Sequence, residues 1–148
     1  MMHNKTPVQI LIAEDEQTDA FFARQAFEQL EYKTTVHIVK DGEEVMDFLN
    51  QSGAYEEAPV PNIIFLDINM PRKNGHQTLK EIKASEKFRH IPVIIMSSSK
   101  ADKDVRESYR NFASAHIPKS TGFSEILEMV SAVEKFWLER AVLPQEDR

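Results

Sequence analysis

Along this chain, short apolar runs alternate with stretches in which apolar residues recur every three or four positions, the pattern of strands alternating with amphipathic helices. Five such units can be read. Val8 to Ala13 predicts a first strand, followed by a helix from about Thr18 to Leu30 with Phe22, Ala23, Ala26, Phe27 and Leu30 on one stripe. Thr34 to Val39 predicts a second strand, with a helix opening after Asp41 and turning Val45, Met46 and Leu49 inward. Residues 52 to 62 combine Gly, Pro and acids and predict a solvated loop. The third strand, Ile63 to Leu66, is continuously apolar and therefore central. Pro71 and Gly75 punctuate the next loop, and Leu79 and Ile82 mark the third helix. The remaining units are a strand Val93 to Met96 with a helix over roughly Asp102 to Phe112, and a strand Ala115 to Ile117 with a helix from about Ser124 to Arg140, the longest of all. Regular strand and helix alternation indicates a parallel sheet covered on both faces, an α/β fold.

Composition narrows the class. With 148 residues, one domain is expected. Hydrophobic residues at 41% and charged residues at 28% exclude a disordered or fibrous chain. Having no cysteine excludes disulfides and thiol catalysis. The apolar stretch near the N-terminus is too short for a signal peptide or a membrane span, so a cytoplasmic location is expected. A net charge of −6 and no basic stripe argue against direct nucleic-acid binding.

The chemistry gathers just past the strand ends, where open α/β sheets bind ligands. Glu14 and Asp15 follow the first strand, Asp67 the third, Ser97 to Ser99 the fourth, and Lys119 the fifth. Clustered carboxylates repel one another unless a cation neutralises them, and oxygen donors suit Mg²⁺. With Mg²⁺ and Lys119 beside it, Asp67 can act as a nucleophile toward phosphorus, forming an aspartyl phosphate that the Ser97 hydroxyl follows by moving inward. A plainer reading makes Glu14 and Asp15 helix caps, and Ser98 and Ser99 loop residues capping the fourth helix. Asn74 and Gly75 read as turn residues, with Gly75 supplying a backbone conformation that other residues resist. The five histidines, His3, His37, His76, His90 and His116, show no metal-ligand spacing.

The segments ILIAEDE at 10–16, IIFLDINMPRKNG at 63–75, PVIIMSSS at 92–99 and IPKS at 117–120 together resemble the response-regulator receiver family over residues 8 to 137. The resemblance implies a flavodoxin-like (βα)5 fold with strand order 2-1-3-4-5. It further implies Asp67 as phosphoacceptor, Glu14 and Asp15 as the acidic metal pair, the Asn69 backbone carbonyl as a further Mg²⁺ ligand, Ser97 as switch hydroxyl and Lys119 as phosphoryl contact. The chain would be a signalling protein rather than an enzyme, able to phosphorylate itself from small donors and to dephosphorylate itself, with a sensor histidine kinase upstream. Two positions depart from the family. Ser120 stands where proline usually follows the lysine through a cis bond, which before a non-proline residue costs about 2.5–4 kcal/mol. His116 replaces the usual switching aromatic of strand five, so the switch is expected either to read out differently from the family's usual coupling or to respond to pH.

IPKS, the Pro-bearing loop before strand three and the tail EKFWLERAVLP resemble the small regulators of bacterial and cyanobacterial phytochromes. The last helix is apolar on two faces: Ile126, Leu127, Val130, Val133 and Trp137 on one, Met129, Ala132 and Phe136 on the other. Phe136 and Trp137 either wrap the core or cover a second copy, and a homodimer through this helix is the favoured reading. Two other functions fit the residues less well. A dehalogenase-like aspartyl-phosphate hydrolase requires a second acid where Asn69 stands, and a receiver fold used only for docking would not need the acid, hydroxyl and lysine set.

Overall fold

The computed structural model describes residues 6–99 and 101–145; His3 lies outside them. Ten main elements alternate in chain order: β1 (Val8–Ala13), α1 (Gln17–Glu28), β2 (Thr34–Val39), α2 (Gly42–Asn50), β3 (Ile63–Asp67), α3 (Gly75–Ala84), β4 (Val93–Ser97), α4 (Asp102–Arg110), β5 (Ala115–Pro118) and α5 (Gly122–Val133). The strands are parallel and ordered β2-β1-β3-β4-β5.

Because side chains alternate along a strand, the central strands feed two cores. Leu11, Ile64, Leu66, Val93 and Ile95 face Val45, Leu49, Leu79 and Ile82 of α2 and α3. Ile10, Ile12, Ile63, Phe65, Ile94 and Met96 face Ala26 and Phe27 of α1 and Ile126, Val130 and Val133 of α5. All five β3 residues are buried, as the unbroken apolar run predicts for a central strand, and Asp67 is the polar end of that run. In α4, by contrast, Ser108 is the one buried residue, so this helix rests on the sheet with little apolar contact.

Where the structure differs from the sequence reading, local geometry gives the reason. The stretch 52–62 is partly folded in: a 3₁₀ turn spans Gly53–Tyr55, and Tyr55, Ala58 and Val60 pack against the core. Asn62 is buried because it bridges, accepting from the Gln9 N–H at 2.7 Å and donating to the Pro144 carbonyl at 2.7 Å. α4 stops at Arg110 because Phe112 takes a left-handed conformation (φ 70°).

The last helix departs from the prediction in its final turns. After Val133 a π turn, Glu134–Leu138, closes through Glu139 N–H to Glu134 O at 2.9 Å and Ala141 N–H to Phe136 O at 2.8 Å. The wider turn shifts the helical phase, so Leu138 enters the core, with Leu143 beyond it, while Trp137 packs against the core partly buried. Phe136 remains 57% exposed.

Gly75 does not have a positive φ; the left-handed residue of its loop is Arg72, at φ 61°. Glycine is needed there because of close packing. A Cβ at Gly75 would lie 2.6 Å from the Asp67 carbonyl oxygen and 2.7 Å from Ile68 Cα. The loop is held by Gly75 N–H to Ile68 O at 3.0 Å, by a capping box between Asn74 and Gln77, and by Arg72 pairing with Asp41, which also caps α2. Gly75→Ala is therefore expected to lower stability by about 1–3 kcal/mol through overpacking against backbone. A urea midpoint equal to wild type would show that this loop can yield.

Candidate functional site

Adjacent parallel strands end at the same sheet edge, and the residues that end them meet there. Glu14 is held over the edge by its own backbone N–H to Val39 O at 2.9 Å, while its side-chain Oε2 accepts from the Glu16 N–H at 3.0 Å. α1 is capped by Glu16, whose Oε1 accepts from the Thr18 and Asp19 N–H groups. The cap reading of Glu14 and Asp15 thus gives way, and both are left for the site. Glu14, Asp15 and Asp67 each offer a carboxylate oxygen, and the three oxygens lie within 4.8 Å of one another. Glu14 and Asp67 are buried; Asp15 is exposed.

Lys119 supplies the opposing charge. Its Nζ donates to Asp67 Oδ2 at 2.7 Å and to Glu14 Oε2 at 3.0 Å, and lies 3.5 Å from Asp19 Oδ2. Burial pushes the ammonium toward its neutral form, but the hydrogen bonds to Asp67 and Glu14 outweigh this and hold its pKa above the usual lysine range. For Glu14 burial dominates and raises the carboxyl pKa, against the lowering effect of Lys119. The two shifts describe one arrangement: two carboxylates crowded into a buried edge, kept together by one cation. Asp19 carries no motif in the sequence; it lies in the first turn of α1.

The loops around the site are tied by backbone contacts. Lys119 N–H donates to Ser97 O at 2.8 Å, which sets the lysine over the sheet edge with a trans bond to Ser120, since no cis peptide occurs among the described residues. Asn69 is exposed and donates its N–H to Asp67 Oδ1 at 3.0 Å, curling the chain after β3 around the carboxylate. Ser97 is fully buried, and its Oγ accepts from the Ser99 N–H at 2.9 Å. Ser99 Oγ in turn donates to Asp104 Oδ2 at 2.7 Å and accepts from the Ala101 N–H, but the N-cap of α4 is Ala101, which makes no side-chain capping hydrogen bond, so neither Ser98 nor Ser99 caps the helix.

His116 is not drawn into the acidic cluster. It faces α4, with Nδ1 2.8 Å from Ser108 Oγ and its backbone N–H donating to the Tyr109 hydroxyl at 3.1 Å. Phe21 is 57% exposed on the outer side of α1.

Chemically, the pocket offers hard oxygen donors of net negative charge, one buried carboxylate ending a central strand, and one ammonium in contact with it. That donor set fits a small divalent cation. Replacing Lys119 with Met, similar in length but uncharged, should lower stability on the order of 3 kcal/mol, because Glu14 and Asp67 lose their shared counter-charge. Denaturant unfolding with and without a divalent cation checks this. The loss should shrink when the cation is added, and an equally stable variant in its absence would contradict the electrostatic account.

Comparison with known proteins agrees with this geometry. The response regulator receiver domain model matches residues 10–131. Response regulator Rcp1 of Synechocystis sp. is 36% identical over 138 residues, covering 93% of this chain and 94% of that protein. The solved Mn²⁺-bound form of Rcp1 is similar with a TM-score of 0.87 and 35% identity, covering 94% of this chain and 100% of that one. The phosphorylated cyanobacterial phytochrome response regulator RcpA is similar with a TM-score of 0.89 and 34% identity, covering 95% of this chain and 100% of that one. With fold, sheet order and sheet-edge acids in agreement, the chain belongs to the response regulator receiver domain family and is related to the phytochrome response regulators within it.

Proposed function

We propose that this receiver takes a phosphoryl group on Asp67 from a histidine kinase, with Mg²⁺ in the acidic pocket, and that the protein works in the cytoplasm as a switch read by protein partners. The observation that supports it best is the buried Asp67 carboxylate, 2.7 Å from the Lys119 ammonium and within 4.8 Å of Glu14 and Asp15. An Asp67 oxygen attacks phosphorus, forming an O–P bond as the donor's bond to phosphorus breaks and its electron pair leaves with the donor. Glu14, Asp15, Asp67 and the Asn69 carbonyl would hold Mg²⁺, which when bound neutralises charge on the phosphoryl oxygens. Lys119, already in contact with Asp67, follows the charge onto the phosphoryl group and loosens its hold on Glu14.

The new group draws the Ser97 hydroxyl inward, away from the Ser99 N–H, and the start of α4 is displaced with it. α4 responds because it is thinly anchored, and His116, bonded to Ser108 and Tyr109, holds its last turn. Similarity to RcpA and Rcp1 supports a phytochrome histidine kinase as donor. No helix among the described residues is long and apolar enough to cross a membrane. Phe136, 57% exposed at the end of the C-terminal helix, supports a homodimer through this helix.

Incubation with Mg²⁺ and acetyl phosphate, followed by intact mass measurement, should add one phosphoryl group to wild type and none to Asp67→Asn or to chelated protein. An unmodified wild type would leave a docking role as the better reading. Sedimentation should report a dimer that Phe136→Asp converts to monomer at the same concentration; a dimer surviving this change would move the interface elsewhere.

A further inference from the structure

α3 and α4 bring together a second group of ligand-bearing side chains, joined to the Ser97–Ser99 segment through the Ser99 to Asp104 hydrogen bond. His76 is the second residue of α3, and Asp104 and Glu107 stand three residues apart on α4, hence on one face. His76 Nε2 lies 3.6 Å from Asp104 Oδ1 and 3.8 Å from Glu107 Oε1. Ligand atoms of all three residues fall within 4.8 Å of one another. Both ring nitrogens of His76 are shut off from solvent, and neither makes a hydrogen bond.

These separations are too long for hydrogen bonds, which close at about 2.7–3.2 Å between nitrogen and oxygen. They are near the edge of a metal-centred tetrahedron, about 3.4 Å for bonds of roughly 2.1 Å. Asp104 is also supported from behind. It turns its other oxygen to the Ser99 hydroxyl at 2.7 Å. Outer contacts of this kind orient ligands toward an ion.

We propose that His76 Nε2, Asp104 Oδ1 and Glu107 Oε1 form a second cation site, selective for a transition-metal ion of the Zn²⁺ class and completed by water, that fastens α4 to α3. An imidazole nitrogen with two carboxylates favours such an ion over Mg²⁺, which prefers oxygen alone. Water reaches the fourth position because the Glu107 side chain is 42% exposed. α4 has little other anchorage, and Ser99 joins Asp104 to Ser97 through one hydroxyl and one N–H. An ion here holds the β4–α4 segment as it stands and opposes its displacement; this consequence, unlike the site, rests on the phosphorylation reading above.

Zn²⁺ titration by calorimetry in a protein carrying Asp15→Asn and Asp67→Asn tests the site. Those changes disable the acidic pocket as a competitor, and the readout does not involve phosphorylation, so this proposal and the phosphoacceptor reading fail separately. One Zn²⁺ per chain is expected, with affinity at least tenfold weaker after adding either His76→Gln or Glu107→Gln. The thermal midpoint should rise with Zn²⁺ in the parent and not in these variants. Glu107 is near the surface, so its variant keeps the test informative should His76→Gln disturb folding. No binding in the parent, or unchanged affinity in the Glu107→Gln variant, overturns the proposal.

Discussion

The contact of the Lys119 ammonium with Asp67 and Glu14 is the interaction on which the functional edge of this protein depends. Three residues far apart in the chain are brought to one place by parallel strands that end in register, and two of them carry like charge in a buried setting. Without a cation between them the edge would repel itself. One ammonium relieves that repulsion and leaves room for a second positive species, which makes the pocket a natural seat for a divalent ion and a phosphoryl group. The loops around it are shaped accordingly. Gly75 lets α3 begin against the backbone of Asp67 and Ile68, and the Asn69 N–H turns back onto the Asp67 carboxylate.

A rigid edge is useful for signalling only if something attached to it can move. The sheet, α1, α2, α3 and α5 share extensive apolar cores, whereas α4 buries a single serine. Its attachment is mostly polar: Ser99 to Asp104, Ser108 to His116, and the proximity of His76 to Asp104 and Glu107. Polar contacts can be exchanged at low cost, while apolar burial is lost outright when a helix shifts. The first of those contacts leads directly to Ser97, so the chain of bonds from the phosphoacceptor pocket ends on the element least firmly held. The C-terminal segment shows the opposite arrangement. Leu138 and Leu143 are buried, and Asn62 clasps the Pro144 carbonyl, so the tail is bound to the strands beneath it.

Much of this was legible from residue order. The bounds of β1 and β2 follow from their apolar runs, and the central position of β3 follows from having no polar residue before Asp67. The acids, serine and lysine past the strand ends were visible because a parallel sheet sends all its strand ends to one edge, and motif and topology therefore agree. Misreadings came where a local signal has more than one physical cause. Gly75 was needed for close approach rather than for a left-handed backbone, and a polar, Pro-bearing loop still folded Tyr55, Ala58 and Val60 onto the core. The π turn after Val133 could not be anticipated, because a helical stripe records spacing and not the single residue by which the turn widens.

By itself, then, the sequence determined the alternating elements, the buried strands and the set of groups at the sheet edge, since periodicity and strand ends are properties of consecutive residues. Tertiary structure decided which of those groups touch: that Lys119 spans Glu14, Asp67 and also Asp19, that His116 turns to α4 and away from the acids, and that Phe136 stays outside while Leu138 goes in. It alone placed His76 opposite Asp104 and Glu107, since residues separated by 28 and 31 positions have no spacing to read. Helices α3 and α4 meet only because β3 and β4 are neighbours, and the distance between their side chains is set by packing across the sheet, which no local pattern encodes.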